Sequence, residues 1–324
     1  MLAKAVGSFI GWDERVCYNI PMERISFGNT ALTLVNRPSA NDIQSIQAGR
    51  SFHPLVISEL SRLTLHPKIE HYPDHAFLIF HFPQFDRKTH ELLSTEVDFI
   101  LTNNELWLVQ YGDLEPLDAL KRKLVKDPEL QAEFFQADAS FLLYKILEHL
   151  FSSLFPQLDH IINKVDHLES EIFCGGADDL VEKISLLRRE AIAFKRTVRP
   201  NTEILKEITV GNGVFFGGAA LPYFGDLASL CRRLNSLIDN QIETLQVLHE
   251  TNTAMLSSRL SHIMRLLTIF SVIVFPLTLM ASIFSMRASG MPFIGQPYDF
   301  WIIICFMAIV ALSMLGYFKR KKWM

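Results

Sequence analysis

Two apolar runs close to the C-terminus, Leu266 to Phe284 and Phe300 to Phe318, each hold 19 consecutive residues without a charged side chain. At a helical rise of ~1.5 Å per residue each run reaches ~28 Å, about one hydrocarbon core, so the pair is expected to cross a membrane twice. The connection between them, Ser285 to Asp299, is short and polar, with Arg287 standing where the first run ends. Anything that crosses the bilayer along these spans must pass that guanidinium or avoid it.

The rest of the 324 residues forms a polar body of roughly 260, large enough for one or two domains. Its first 21 residues hold a short apolar patch but no apolar core of signal length, so no signal peptide is expected. Lys319, Arg320, Lys321 and Lys322 close the second run, and Arg259 and Arg265 precede the first. Positive residues stay on the cytoplasmic side, which places both termini and the body in the cytosol of a bacterial-type inner membrane. The body is acidic: 34 of the 35 acids precede the first run, against 24 basic residues before Arg259, about −10 in all. Several copies around an axis would concentrate cations, whereas a single copy would simply be kept soluble. No nucleic-acid partner is expected. Cys17, Cys174, Cys231 and Cys305 show no CxxC spacing and are expected to be reduced thiols rather than a zinc ribbon.

Texture divides the chain into three. Residues 1–135 read as an N-terminal α/β domain: a weakly ordered arm or first strand pair up to about Ala40, then β-rich runs such as AFLIFHFPQFD, TEVDFILT and ELWLVQ. Helices are expected near Leu55 to Leu65 and Pro116 to Lys126. Residues 136–265 read as a helical hairpin or pair of long helices followed by a stalk helix, and residues 266–324 as the transmembrane domain. The GNGVFFGG segment lacks the lysine and spacing of a phosphate loop and reads as an interhelical turn. From Asp226 to Phe275 there are 50 residues without glycine or proline, which as one helix would be ~75 Å long and would run into the first span. A helix of that length needs neighbours, which argues for packing against copies of itself.

Along the first span Thr268, Ser271, Thr278, Ser282 and Ser285 fall within about 100° of arc, and Met264, Leu267 and Phe275 share the stripe. Such a face is either a pore wall or a close helix interface, since hydroxyls also join membrane helices. Pro276 removes a backbone hydrogen bond in mid-span.

HPKIEHYPDHAFLIFHFPQFD, TEVDFILTNN, LPYFGD, LTIFSVIVFPLTLMASIF and the terminal YFKRKKWM, in this order and at this spacing, resemble the CorA-type divalent cation transporter superfamily over most of the chain. The resemblance implies a CorA-like homopentamer in the lipid bilayer, with an α/β cytosolic domain, a funnel of long helices and two C-terminal transmembrane helices. Its pore would be lined by Ser261, Met264, Leu267, Ser271, Phe275 and Thr278, with Met264, Leu267 and Phe275 as hydrophobic constrictions that close by dewetting. It also implies divalent metal ions, Mg or Zn, as substrate and as regulatory ligands at Asp86, Asp226 and Glu250, where oxygen donors suit a hydrated cation. Solvated surface acids are the plainer reading of the same three residues.

At the mouth this chain departs from the family. Where the family pattern is Tyr-Gly-Met-Asn, it reads Phe284, Ser285, Met286, Arg287, so it lacks the Gly-Met-Asn signature. A ring of arginines facing inward would hinder cation entry, whereas arginines turned to headgroups or to Asp299 would leave a wider mouth. His66, His71 and His75 cluster before Ala76, and His160 and His167 lie two turns apart, a spacing that serves zinc or plain surface histidines. The ASGMPF loop resembles the zinc-transporting branch. Three functions stay open: a divalent cation transporter or channel (Mg or Zn, with Co or Ni as further candidates), a non-conducting metal-responsive sensor or scaffold, and a pore for efflux or anions. No nucleophile elbow, phosphate loop or HExxH pattern is present, so no enzymatic activity is expected.

Overall fold

The computed structural model describes residues 22–50, 52–85, 92–174, 179–211, 215–217, 219–286 and 298–321. The chain divides into two units, Met1–Gln246 and Val247–Met324.

The first unit is built on a six-stranded sheet: β1 (Met22–Phe27), β2 (Thr30–Asn36), β3 (Lys68–His71), β4 (Ala76–Phe85), β5 (Leu92–Leu101) and β6 (Glu105–Gln110), in the order β1-β2-β6-β5-β4-β3. Only the β2–β6 pairing is parallel. The first strand pair turns at Gly28, whose φ of +61° suits a residue without Cβ. Between β2 and β3 lie α1 (Ala40–Gly49) and α2 (Pro54–Leu60). A capping box at Ser39 and Asp42 starts α1, and the His53 imidazole followed by Pro54 starts α2. After the sheet come α3 (Glu115–Lys126), α4 (Pro128–Phe134), α5 (Ala139–Ser152), α6 (Leu154–Phe173), α7 (Leu180–Val198) and α8 (Asn201–Val210).

The run AFLIFHF is apolar at nearly every position because β4 is covered on both faces, where a one-sided sheet would alternate. Phe77 and Ile79 point to one side, joining Ile100, Trp107 and Val109 under Ile43, Ile46, Val56, Ile57 and Leu60 of α1 and α2. On the other side Phe80 and Phe82 meet Phe99 and Phe151 edge-on or tilted, beneath α5 and α7. The region expected as a hairpin or pair of long helices is four helices, α5 to α8, with Ser153 and Pro200 punctuating it.

Two polar devices hold the sheet to its surroundings. Buried Glu105 accepts from Thr33 at 3.0 Å, is paired with Arg50, and lies 3.5 Å from Arg24. Glu105→Gln is expected to destabilise the first unit by about 1–2 kcal/mol, the low end for a charged hydrogen bond because both arginines keep access to water. A lowered thermal midpoint of the full-length protein checks it.

The second device lies on β4. β3 ends opposite Ile79, and two residues on, His81 turns its N–H and C=O to the vacated flank. Asn201 at the start of α8 fills the place of the missing strand residue: its Oδ1 accepts from His81 N at 3.3 Å and its Nδ2 donates to His81 O at 2.7 Å. Pro83 is the next residue to face that flank, where its missing N–H leaves nothing unpaired.

A single 65-residue helix, α9 (Leu221–Ser285), follows and contributes to both units; it extends beyond the 50-residue stretch without glycine or proline, passing through Gly225 and Pro276. In the first unit its N-terminal part docks through Tyr223 and Phe224, which contact Phe141, Tyr144 and Phe216, and through Lys195–Asp239 at 2.6 Å. In the second unit the remainder of α9 is joined by α10 (Asp299–Arg320). Both helices carry membrane-length apolar windows that are almost wholly unburied within the chain, as spans facing lipid or other subunits would be and a soluble core helix would not.

Candidate pore face and metal-responsive acids

In the second unit burial sorts the residues of each span by face. On α9 Ile269 is 6% exposed, and Ile273, Pro276, Leu277, Met280 and Phe284 are half-buried. On α10 the sheltered positions are Ile303, Met307, Val310, Ala311, Met314 and Phe318, the same spacing of 4, 3, 1, 3 and 4. Among the described residues this unit holds only these two helices, and their sheltered stripes match in spacing.

At 100° per residue the sheltered stripe of α9 covers about 100° of arc, and the hydroxyl stripe is centred about 180° away. Met264, Leu267 and Phe275 are 60%, 56% and 73% exposed. Thr278, Ser282 and Ser285 are exposed with them, Ser271 is half-buried, and Ser261, also exposed, lies roughly 20° beyond the stripe's edge. The helix continues unbroken past Pro276, whose ring lies in the sheltered stripe.

The hydroxyl geometry decides what this face offers. Thr268 Oγ1 donates to Met264 O at 2.7 Å and Thr278 Oγ1 donates to Val274 O at 2.9 Å. With their protons committed to the helix, these oxygens present lone pairs outward, which suits the water protons of a hydrated cation. The mouth is described only to Met286, whose N–H donates to Ile283 O at 3.2 Å; Ser285 and Met286 are exposed, and Arg287 lies outside the described residues.

Of the three acids expected to bind regulatory metal, Asp86 lies outside the described residues. Asp226 is exposed on α9, in the first unit, one turn after the Tyr223–Phe224 anchor. Nearby, the Tyr144 phenol donates to Glu148 at 2.7 Å, and burial, that bond and the charges of Glu148 and Asp226 raise its pKa. Glu250 is exposed on α9, in the second unit. Among the described residues no three histidine, cysteine, aspartate or glutamate side chains of one chain converge to hold a metal ion.

The histidines divide. His66 and His71 are exposed, whereas His75 is buried between Tyr72 and Phe52 and bonded to Asp74 at 2.6 Å, a core role that the surface reading missed. His160 and His167 border a groove of about 790 Å³ between α6 and α7, beside the ion pairs Lys164–Glu190 and Lys183–Glu171. Cys174, Cys231 and Cys305 are unbridged. Burial pushes the Cys231 thiol up to about 11, against a contact with Thr202 that lowers it, so it is no thiolate ligand at neutral pH. Sequence reasoning passed over the buried carboxylates Glu96 and Asp98; the signal was their alternate spacing in TEVDFILT, which puts both on one face of β5.

An α/β body joined through one long helix to a pair of unburied apolar spans defines a two-span membrane protein whose larger part lies outside the bilayer. A family model, the CorA-like Mg2+ transporter protein, matches residues 34–320, and the chain belongs to that family. Divalent metal cation transport is the class of activity this membership assigns. Among its relatives is the cobalt/magnesium transport protein CorA of Thermotoga maritima, 24% identical over 87% of this chain and 80% of the relative. Another is the putative metal ion transporter YfjQ of Bacillus subtilis, 23% identical over 96% of each chain. The solved structure of the CorA magnesium transporter from Methanocaldococcus jannaschii has the same fold, with a TM-score of 0.80 at 19% identity over 93% of this chain and 94% of that one.

Proposed function

We propose that the chain assembles as a homopentamer and moves divalent metal cations, Mg or Zn, through a pore lined by the exposed stripe of α9. The observation that carries this reading is the opposition of the two faces: the stripe bearing Thr268, Ser271, Phe275 and Thr278 lies opposite the sheltered stripe of α9, and the Thr268 and Thr278 hydroxyl protons are bound to the helix. Ser261, Met264 and Leu267 continue the lining, with Met264, Leu267 and Phe275 as constrictions that exclude water when the pore is narrow. Asp226 and Glu250, with Asp86, would meet regulatory cations at subunit boundaries, since one chain alone assembles no three-ligand site from its described residues. Both termini would lie in the cytoplasm.

Proteoliposomes containing the full-length protein are expected to show ion-dependent flux for at least one of Mg, Zn, Co and Ni, reported by an enclosed indicator. Silence for all four ions would overturn conduction. Arg287 and Ser285, in place of the family's asparagine and glycine, favour a second reading: a metal-responsive sensor or scaffold that keeps the assembly without permeation. In that case metal would still protect the protein from proteolysis while no flux is seen.

A further inference from the structure

We propose that the sheet face beneath α2 holds a buried proton shared by Glu96 and Asp98, with Asp98 as its principal seat, and that losing this proton loosens α2 from the sheet. Asp98 is 0% and Glu96 4% exposed, and both point to the face that carries Ile100, Phe77 and Ile79. Glu59 of α2 adds its negative charge to the surroundings of Asp98. Each carboxyl group has one oxygen held by a donor: Glu59 Oε1 by Lys68 Nζ at 2.5 Å, Glu96 Oε2 by Thr64 N at 2.6 Å, and Asp98 Oδ2 by the Tyr111 hydroxyl at 2.8 Å. The other three, Glu59 Oε2, Glu96 Oε1 and Asp98 Oδ1, are buried without a partner.

Carboxylates only accept, so the orphan oxygens of Glu96 and Asp98 cannot satisfy one another while both are ionised; a single proton turns one of them into a donor. The charges around them do not replace it. Lys68 is divided between Glu59 and Glu70, and His81, whose Nε2 lies 3.5 Å from Glu96, is directed by that nitrogen to Thr64 O at 2.9 Å. The described residues provide no three-ligand metal geometry here. Burial first, and then the charge of Glu96, hold the Asp98 carboxyl well above the usual carboxylate range, with the Tyr111 bond opposing.

The folded chain therefore binds this proton more tightly than the unfolded chain. Its contribution to stability is complete at low pH and is lost as pH rises through the folded value. The Tyr111 hydroxyl also lies 3.2 Å from the Leu60 carbonyl, so the end of α2 shares a phenol with Asp98 and feels the loss directly.

Infrared spectroscopy of the full-length protein in detergent tests the proposal. At neutral pH the carbonyl stretch of a protonated carboxylic acid is expected, and Asp98→Asn should abolish it. Hydrogen exchange in α2 should quicken at alkaline pH, beyond the intrinsic change, in the original protein and not in Asp98→Asn. Should that variant not fold, Glu96→Gln decides: removing the like charge should move the titration of the band to lower pH. Absence of the band at neutral pH, its survival in Asp98→Asn, or an unmoved titration in Glu96→Gln would overturn the proposal.

Discussion

Reconstituted protein carrying Arg287→Asn together with Ser285→Gly is expected to pass Mg2+ at least about tenfold faster than the original. One guanidinium ~8 Å from a divalent cation repels it by ~1 kcal/mol even at the dielectric constant of water. Five such groups in the proposed pentamer sum to ~5 kcal/mol. Physiological salt, with a screening length of ~8 Å, reduces this to about 2 kcal/mol, about 30-fold in rate. The serine change frees the backbone where α9 ends, because glycine adopts turn conformations without steric cost.

Single variants separate the two contributions. Arg287→Asn alone should recover most of the gain, and Arg287→Lys, which keeps the charge, should recover none. Equal flux in the original and double-variant proteins would place the guanidinium away from the ion path. Flux gained only in the variant would favour the sensor reading for the original chain.

How far the sequence disclosed this molecule depended on which forces act locally. The spans were legible because a hydrocarbon core demands a run of uncharged residues of fixed length, and Leu266 to Phe284 and Phe300 to Phe318 meet it. The face of α9 that carries hydroxyls followed from helical periodicity alone, and the burial of Ile269, Ile273 and Leu277 falls on the opposite side. The strand content around AFLIFHF was legible for a related reason, since a strand covered on both faces loses its alternation.

Contacts between residues distant in sequence were not legible. Nothing near His75 announces that Tyr72 and Phe52 will enclose it. Nor does TEVDFILT show that Glu96 and Asp98 will both be buried. The break between α7 and α8 was marked by Pro200, but the use made of Asn201 depends on where β3 stops along β4, which leaves His81, 120 residues earlier in the chain, for Asn201 to meet. Of the acids expected to bind metal, Asp226 and Glu250 fall in different units, and no three-ligand geometry forms among the described residues of one chain.

Asn201→Leu is expected to lower the unfolding free energy of the first unit by about 2–4 kcal/mol, because it strips partners from two buried backbone groups, each worth roughly 1–3 kcal/mol when left unsatisfied. Leucine keeps the branch point and heavy-atom count of asparagine, so no cavity opens, while its bulkier methyl groups add an overpacking cost to that of the lost hydrogen bonds. At roughly 2–4 °C per kcal/mol for a unit of this size, the thermal midpoint of the full-length protein in detergent should fall by roughly 5–15 °C. Asn201→Asp sharpens the test: a carboxylate can still accept from His81 N–H but presents lone pairs to the His81 carbonyl, so it should not rescue the loss. Thr202→Val, one residue on, removes only the hydroxyl that meets Cys231 Sγ at 3.2 Å and accepts from Asn235 Nδ2 at 2.9 Å, and its effect should be smaller. A midpoint in Asn201→Leu within about 1 °C of the original would mean that water, rather than this carboxamide, completes the edge of β4.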